Sequence, residues 1–409
     1  MKNDGRLRTE AARGARTGPP RVAFDARSLG TPVLRGWDRY TIGLVGGLAA
    51  LGVRVTLFHR AGADLHAANV ADLDCAVTAV PARTGLLWEQ CAVPLALWRG
   101  KFDLYHAPAE HAVPLAAPCP TVLTLHSVTA HSFDDLVRRG MLPGSVMDYL
   151  GNDANPYLLT PANLYWHAQV ARATWILAPS EFGRREVVAF LGRSPERVST
   201  TPLAVAEEFR EPPHSPERRA ATRARLGVCR PYLLFVGGYE PHKNVPALLR
   251  VLVKVRRAIP GLALVTVGST AVPPGLAAEA AAYGLQPGRD VVFLAGLRED
   301  LMDLYDDAAL LVTLSWRETF CLPALEAMTR GTAVVASAWG AAPDVVGEGG
   351  IVVDPRDEDG AAAAVVALLR IADRAALAER ARRAAARFSW ERTAAQTLEV
   401  YHRLIEERR

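Results

Sequence analysis

The chain has 409 residues, half of them hydrophobic and 22% charged, with a net charge of +4. That is enough apolar material for two or three domains, and the mild basicity suits an anionic small ligand or a membrane surface without arguing for nucleic acid. Five cysteines without C-x-x-C spacing form neither a disulfide framework nor a zinc site and point to a reducing, cytoplasmic setting, and no apolar run of about 18 residues offers a membrane span.

Residues 1–20 are basic, contain Gly and Pro, and lack the apolar core of a signal peptide, so they read as a disordered tail. A peripheral membrane contact through this arm stays open, although no amphipathic stripe adjoins it in the sequence. Residues 22–25 then read as a first strand. A loop over 26–37 leads into a helix near 38–51, closed by Gly52, and 53–59 form a second strand. Asp38 stands where it can cap its helix. Residues 102–106 and 121–126 read as further strands, each ending in a histidine, His106 and His126. An imidazole at a strand end either hydrogen-bonds a ligand hydroxyl in a cleft or is a satisfied structural histidine.

Residues 132–171 are the least regular part of this half, mixing Asp, Asn, Tyr, Trp and Arg. They suit an interaction loop or a grip on a polar acceptor. A helix ending near Arg172 feeds a strand at 174–178, Ser180 caps a helix over 181–191, and 198–202 closes the sheet. Clustered Pro and Glu over 206–216 mark a passage between domains.

A strand at 232–236 opens the second half. Gly237 and Gly238 follow, then His242 and Lys243 at the start of an apolar helix over 245–258. Strand, glycine turn and a cation at a helix start make a phosphate cradle, whereas an isolated lysine would be a solvated surface amine. Strands at 262–267 and 291–294 and a helix over 298–308 come next. Residues 310–314 are a buried parallel strand, 315–322 a loop, and Pro323 the first turn of a short helix ended by Gly331 before a strand at 333–336. Glu318 lies in that loop and Glu326 is placed in the first helical turn. The N–H groups of Phe320, Cys321 and Leu322 approach the helix N-terminus between them, where an anion is favoured. A diphosphate held there would have one acid near each end of the ligand. Glu326 alone could equally be a partner of the helix dipole. A strand at 351–353 and helices over 360–371, 375–388 and 390–407 complete the chain. Two D-x-D tripeptides, Asp72-Leu73-Asp74 and Asp357-Glu358-Asp359, read as loop and cap acids, so no metal site is expected. There is no G-x-S-x-G elbow, Walker loop or H-E-x-x-H.

The run from Glu318 through Pro323 and Glu326 to Gly331 and its following strand resembles the E-x7-E signature of the retaining glycosyltransferases of family 4. The resemblance covers most of the C-terminal half and extends more loosely into the N-terminal half. It implies an α/β chain of the GT-B type, with two Rossmann-like domains facing across a cleft and a C-terminal helix crossing back to the first. Residues 1–20 would be the tail, 21–210 the acceptor domain, 211–227 the linker, 228–388 the nucleotide-sugar donor domain and 389–409 the returning helix. It also implies roles. Gly36, in Gly36-Trp37-Asp38-Arg39-Tyr40, would let backbone approach the donor phosphates, Gly238 would belong to the donor-binding glycine turn, and Lys243 would neutralise the diphosphate. Leu297, beside Gly296 and Arg298, would embrace the base. Glu326 would hold the ribose, and Glu318 and His126 would attend the transferred sugar. The chain departs from the family with Thr319 and Cys321 in place of glycines, Asp38 in place of a glycine, and Gly238 where an arginine is usual.

The implied activity is retaining, metal-independent transfer of a hexose-type sugar from a nucleotide-diphosphate donor to a small or lipid-linked hydroxyl acceptor, with no cofactor beyond the nucleotide-sugar. A GT-B sugar-nucleotide epimerase, a phosphorylase and a catalytically silent GT-B binding protein are the alternatives. Cys321 either lines the donor loop as a reactive thiol or is a small buried residue.

Overall fold

The computed structural model describes residues 18–30, 36–62, 65–66, 70–109, 113–142, 144–145, 161–229, 231–268, 272–297 and 299–408. Short apolar runs alternate with amphipathic helices along the chain, a pattern that buries strands on both faces and forces crossover connections. The result is two wholly parallel sheets. The first contains β1 (Arg21–Asp25), β2 (Arg54–Arg60), β3 (Ala76–Val80), β4 (Leu104–Ala107), β5 (Thr121–Thr124), β6 (Trp175–Ala178) and β7 (Val198–Thr200), in the order β3-β2-β1-β4-β5-β6-β7. The second contains β8 (Tyr232–Val236), β9 (Ala263–Gly268), β10 (Val291–Ala295), β11 (Leu310–Thr313), β12 (Val334–Ser337) and β13 (Gly350–Val353), in the order β10-β9-β8-β11-β12-β13. Strand order reverses between β1 and β4 in one sheet and between β8 and β11 in the other. At such switch points the loops leaving neighbouring strands diverge and open a crevice at the carboxyl edge.

The halves are joined by apolar packing. One cluster runs from Val22, Phe24 and Tyr40 of the first domain to Leu234, Phe320 and Cys321 of the second. The C-terminal helix, Trp390–Glu407, crosses back and lies along the first helix, Gly36–Ala50. Gly43 and Gly47 permit this. A Cβ on Gly43 would stand 2.2 Å from the Trp390 ring, and one on Gly47 2.8 Å from the Ala394 methyl. Trp390 Nε1 donates to Val205 O at 3.0 Å and Thr393 Oγ1 to Pro202 O at 2.6 Å, so the helix is also hydrogen-bonded to the first domain's last loop.

His106 takes the structural role. Its ring has no exposed surface and lies between Tyr401 Oη at 2.5 Å and Thr124 Oγ1 at 2.7 Å. Burial lowers its pKa to about 3, so it is a neutral bridge between the first sheet and the returning helix.

The stretch expected to link the domains contains a helix, Pro216–Leu226, capped by Ser215 with Pro at its first position. It docks on the second domain. Thr222 Oγ1 donates to Asp303 at 2.7 Å, Arg219 pairs with Asp307 at 2.7 Å, and Arg223 also pairs with Asp307. Among the described residues no helix is long and apolar enough to cross a membrane.

Candidate active site

At the β8/β11 switch point the loops after the two strands meet. The first leaves β8 through Gly237 and Gly238 and reaches a one-turn helix, Pro241–Lys243, ended by Asn244 in the left-handed region at φ 53°. Asn244 is held by its side chain, whose Nδ2 donates to Leu314 O at 3.0 Å, and Trp316 N donates to His242 O at 2.9 Å. These bonds stitch the β8 loop to the β11 loop and bring Lys243 to Glu318, Nζ to Oε1 at 2.8 Å. Ser315 Oγ donates to the same oxygen at 2.8 Å. Burial disfavours the Glu318 carboxylate, but the Lys243 ammonium outweighs it, and the pKa lies below the usual carboxylate range. Lys243 is also burdened by burial, and Glu318 raises its pKa. The pair is therefore ionised at neutral pH.

Cys321 occupies the left-handed region at φ 72° and ψ 55°, where glycine is the easy residue, and forms the N-cap of the helix Leu322–Thr329. Its thiol is buried, and burial, with the Glu318 charge, pushes its pKa up. The thiol is thus a neutral packed group, as the bland alternative had it. The cap position sets the helical phase. Glu326 falls in the second turn and not in the first, which removes it from the helix dipole's orphan donors.

Glu326 is 3% exposed. Its Oε1 receives Arg39 Nη1 at 3.0 Å from the first domain's opening helix, and its Oε2 receives Tyr305 Oη at 2.7 Å. Burial raises its pKa in spite of Arg39. Two acids eight positions apart in one loop and helix thus sit in opposite settings. Glu318 is paired within its own domain, and Glu326 is paired across the domains. A second interdomain bond secures the same loop, for Ser180 Oγ, which caps the helix Glu181–Leu191 by accepting from Gly183 N at 3.0 Å, donates to Thr319 O at 2.7 Å. A third is the buried pair of Arg317 with Glu186.

His126 follows β5. Its Nε2–H donates to Pro108 O at 2.8 Å, which leaves Nδ1 as the acceptor nitrogen. Burial lowers its pKa to about 4, so the ring is neutral. The edge of Tyr40 stands against it with centroids 5.0 Å apart. Because Tyr40 adjoins Arg39, the start of the first helix connects His126 to Glu326 through two neighbouring side chains. Gly36 is the first residue of that helix, with nothing within 4 Å of a Cβ built on it. Gly238 is buried, and a Cβ there would strike the Glu240 carboxylate at 1.9 Å. Leu297 packs half-buried against the cluster that contains Phe320, and Leu322 packs against the same cluster. Arg298 and residues 146–160 of the irregular stretch lie outside the described residues.

A cavity of about 510 Å³ opens between the domains beside Glu318. The helix Glu181–Leu191 contributes Phe182, Arg185 and Phe190, and the second domain contributes Trp316, Arg317 and Trp339. Trp316 and Trp339 lie 5.7 Å apart, so the wall next to the β11 loop is aromatic.

Sequence reasoning missed Arg39, Tyr305 and Ser315 as partners of the two acids, and the bond from Ser180 to Thr319 O in the loop between them. Arg39 had a visible signal, since it stands in the same short motif as Gly36. The acids of Asp357-Glu358-Asp359 have local work: Asp357 caps the helix Glu358–Leu369 through Gly360 N at 2.8 Å, Glu358 pairs with Arg250 at 2.6 Å, and Asp359 pairs with Lys254 at 2.9 Å.

Residues 34–209 match the family described as Glycosyltransferase Family 4, and residues 230–370 match Glycosyl transferases group 1. The O-antigen chain mannosyltransferase B of Escherichia coli is 31% identical over 248 residues, covering 58% of this chain and 62% of that protein. A D-inositol 3-phosphate glycosyltransferase of Kineococcus radiotolerans is 35% identical, covering 58% and 59%. These matches span about three fifths of each relative's length. Among solved structures, the sucrose-phosphate synthase of Thermosynechococcus elongatus superposes with a TM-score of 0.69 at 20% identity, over 95% of this chain and all of that one. HepE of Anabaena, in complex with UDP and glucose, superposes with 0.68 at 19% identity, over 93% and 99%. Two parallel α/β domains, the returning helix and the matches to both halves place the chain in glycosyltransferase family 4, with the GT-B fold.

Proposed function

We propose that the chain is a retaining glycosyltransferase that moves a hexose-type sugar from a nucleotide-diphosphate donor to a hydroxyl acceptor without a metal ion. The observation that carries this reading is the ionised Lys243–Glu318 pair, 2.8 Å apart at the switch point of the second sheet. A diphosphate arriving there would meet the Lys243 ammonium and the N–H groups around Phe320–Leu322, which supply the positive field that a departing diphosphate needs. Glu318, released from Lys243, would then face the sugar ring as positive charge grows on it. Neutral His126 would accept a sugar hydroxyl at Nδ1, and Glu326 would take the ribose hydroxyls. Retention without a second nucleophile implies attack on the face the diphosphate leaves, with a donor phosphate oxygen receiving the acceptor's proton. The named mannosyltransferase and inositol-phosphate glycosyltransferase relatives, and a structural neighbour that binds UDP and glucose, support the class of reaction. The acceptor would enter the aromatic interdomain cavity. A small alcohol or a lipid-linked glycan both belong to this reading, and the latter requires peripheral contact with a membrane.

The test is a thermal-shift panel of UDP, GDP, ADP and dTDP in the presence of a chelator, with Lys243→Ala as control. At about 100 times its Kd, one nucleotide should stabilise the chain by about 2.7 kcal/mol, and the variant should lose the shift. No stabilisation by any of them would overturn the reading in favour of a silent GT-B protein. Inverted configuration at the anomeric carbon of the product would refute retention alone.

A further inference from the structure

Between β3 and β4 the chain is helical from Gly85 to Gly100, with a wider π-type turn over Trp88–Ala92. Its inner face is ordinary: Trp88, Val93 and Leu97 are buried in the first domain's core. Its outer face is also apolar. Leu87, Cys91, Leu95 and Trp98, at i, i+4, i+8 and i+11, are all exposed, Trp98 by 68%. Leu86 stands beside them at 58%, and Leu115 is drawn alongside because its N–H donates to Gln90 at 2.8 Å. Ten large hydrophobic side chains are exposed among the described residues, and five of them lie on this one strip. Scattered exposed leucines are normal in soluble proteins, but a continuous apolar stripe marks a contact surface.

The charges around the stripe identify what it contacts. From residue 81 to residue 102 the cations are Arg83, Arg99 and Lys101, and the only acid is Glu89. Glu89 is turned inward and held by Arg27, Tyr165 and Gln169. Where the stripe ends, a recess of about 530 Å³ is lined by Trp98, Arg99, Lys101, Asp103 and Arg408. A tryptophan and leucines flanked by basic residues, with Asp103 in the recess outnumbered there by Arg99, Lys101 and Arg408, form the combination that settles into the headgroup layer of an anionic bilayer. We infer that the outer face of this helical segment is a docking surface for a membrane containing anionic lipid. Its first turns lie at the cleft edge of the sheet, because Trp88 and Glu89 contact Arg27, two residues beyond the last residue of β1. Docking there brings the mouth of the interdomain cleft towards the bilayer.

Full-length protein is sedimented with phosphatidylcholine vesicles, with and without phosphatidylglycerol. Binding should require phosphatidylglycerol and weaken with salt. It should fall by about tenfold or more in Leu95→Glu/Trp98→Glu and in Arg99→Glu/Lys101→Glu. The melting temperature of each variant reports whether the fold is intact. Absence of binding, or binding unchanged in both variants, overturns the inference. So does loss of binding only on deletion of the basic residues 1–17. A dimer by light scattering that Leu95→Glu/Trp98→Glu converts to a monomer also overturns it, because a second copy would then cover the stripe.

Discussion

Substituting Arg39 by alanine should loosen the two domains through Glu326. The Glu326 side chain is 4% exposed and that of Arg39 32%, so the pair lies between a surface bridge, worth less than about 1 kcal/mol, and a buried one, whose disruption costs about 3–5 kcal/mol. Arg39→Ala leaves the carboxylate with Tyr305 as its one remaining hydrogen-bond partner described here, and a cost of about 2 kcal/mol follows. Near neutral pH this cost is capped, because a carboxyl whose pKa is already raised by burial escapes the penalty by taking a proton. Two consequences are measurable. In a double-mutant cycle with Glu326→Gln, the two losses should not add, and the coupling should be about 1–2 kcal/mol. The loss in Arg39→Ala should also shrink from pH 8 to pH 5.5. The sign follows from linkage: the folded variant holds a proton on Glu326 at pH values where the unfolded chain does not, so lowering pH favours the folded form. Urea unfolding followed by tryptophan fluorescence provides the free energies. Additive losses, or a penalty that does not change with pH, would refute the interdomain charge pair.

Cys321 gives a second prediction. A residue other than glycine held in the left-handed region costs about 1–2 kcal/mol, so Cys321→Gly should be more stable than Cys321→Ala by about 1 kcal/mol in thermal melts, the reverse of the usual helix order. Iodoacetamide should label the exposed Cys91 and Cys229 and spare Cys321 in the native protein, as peptide mapping would report. A third prediction concerns acid. His106, His126 and His242 are all held neutral by burial, at about 3, 4 and 4, below the ordinary 6.5. The unfolded chain takes up their protons first, so stability is full above pH 6.5 and falls as pH drops towards 4, by about 1.4 kcal/mol per histidine per pH unit. A stability curve flat between pH 7 and 5 would contradict their burial.

What the sequence disclosed was governed by short-range rules. The helices Glu181–Leu191 and Trp390–Glu407 begin where Ser180 and Ser389 cap them and were readable to the residue. The strand–glycine–lysine turn around Lys243 was likewise local. Glu326 was misplaced by one turn because a cysteine gives no signal that it will adopt φ 72° and begin the helix after itself. The helix Pro216–Leu226 was hidden in a Pro- and Glu-rich passage, although Ser215 followed by Pro216 is a valid helix start. Contacts over long separations were not legible at all. Arg39 meets Glu326 across 287 residues and His106 meets Tyr401 across 295, and neither pairing leaves a spacing to read. The exposed apolar stripe was similarly silent, because Leu87, Cys91, Leu95 and Trp98 look like core residues until the structure shows which face Trp88, Val93 and Leu97 have already taken.

The two acids that follow β11, one in its loop and one in the next helix, show why their partners matter as much as their spacing. Each carries one negative charge into a buried place, and each is balanced by one cation from elsewhere: Lys243 from the neighbouring strand's loop, Arg39 from the other domain. A diphosphate adds further negative charge to the same cleft, and within about 4 Å such charges interact by several kcal/mol even at an effective dielectric constant near 20. Under the proposed function the cations must therefore be shared between ligand and acids. The Lys243 pair can yield without moving a domain, because both partners stand on adjacent loops of one sheet. The Arg39 pair spans the two domains. Freeing Glu326 for a ribose means breaking a bond between domains, so the approach of donor and the relative position of the two domains are mechanically linked at that one carboxylate.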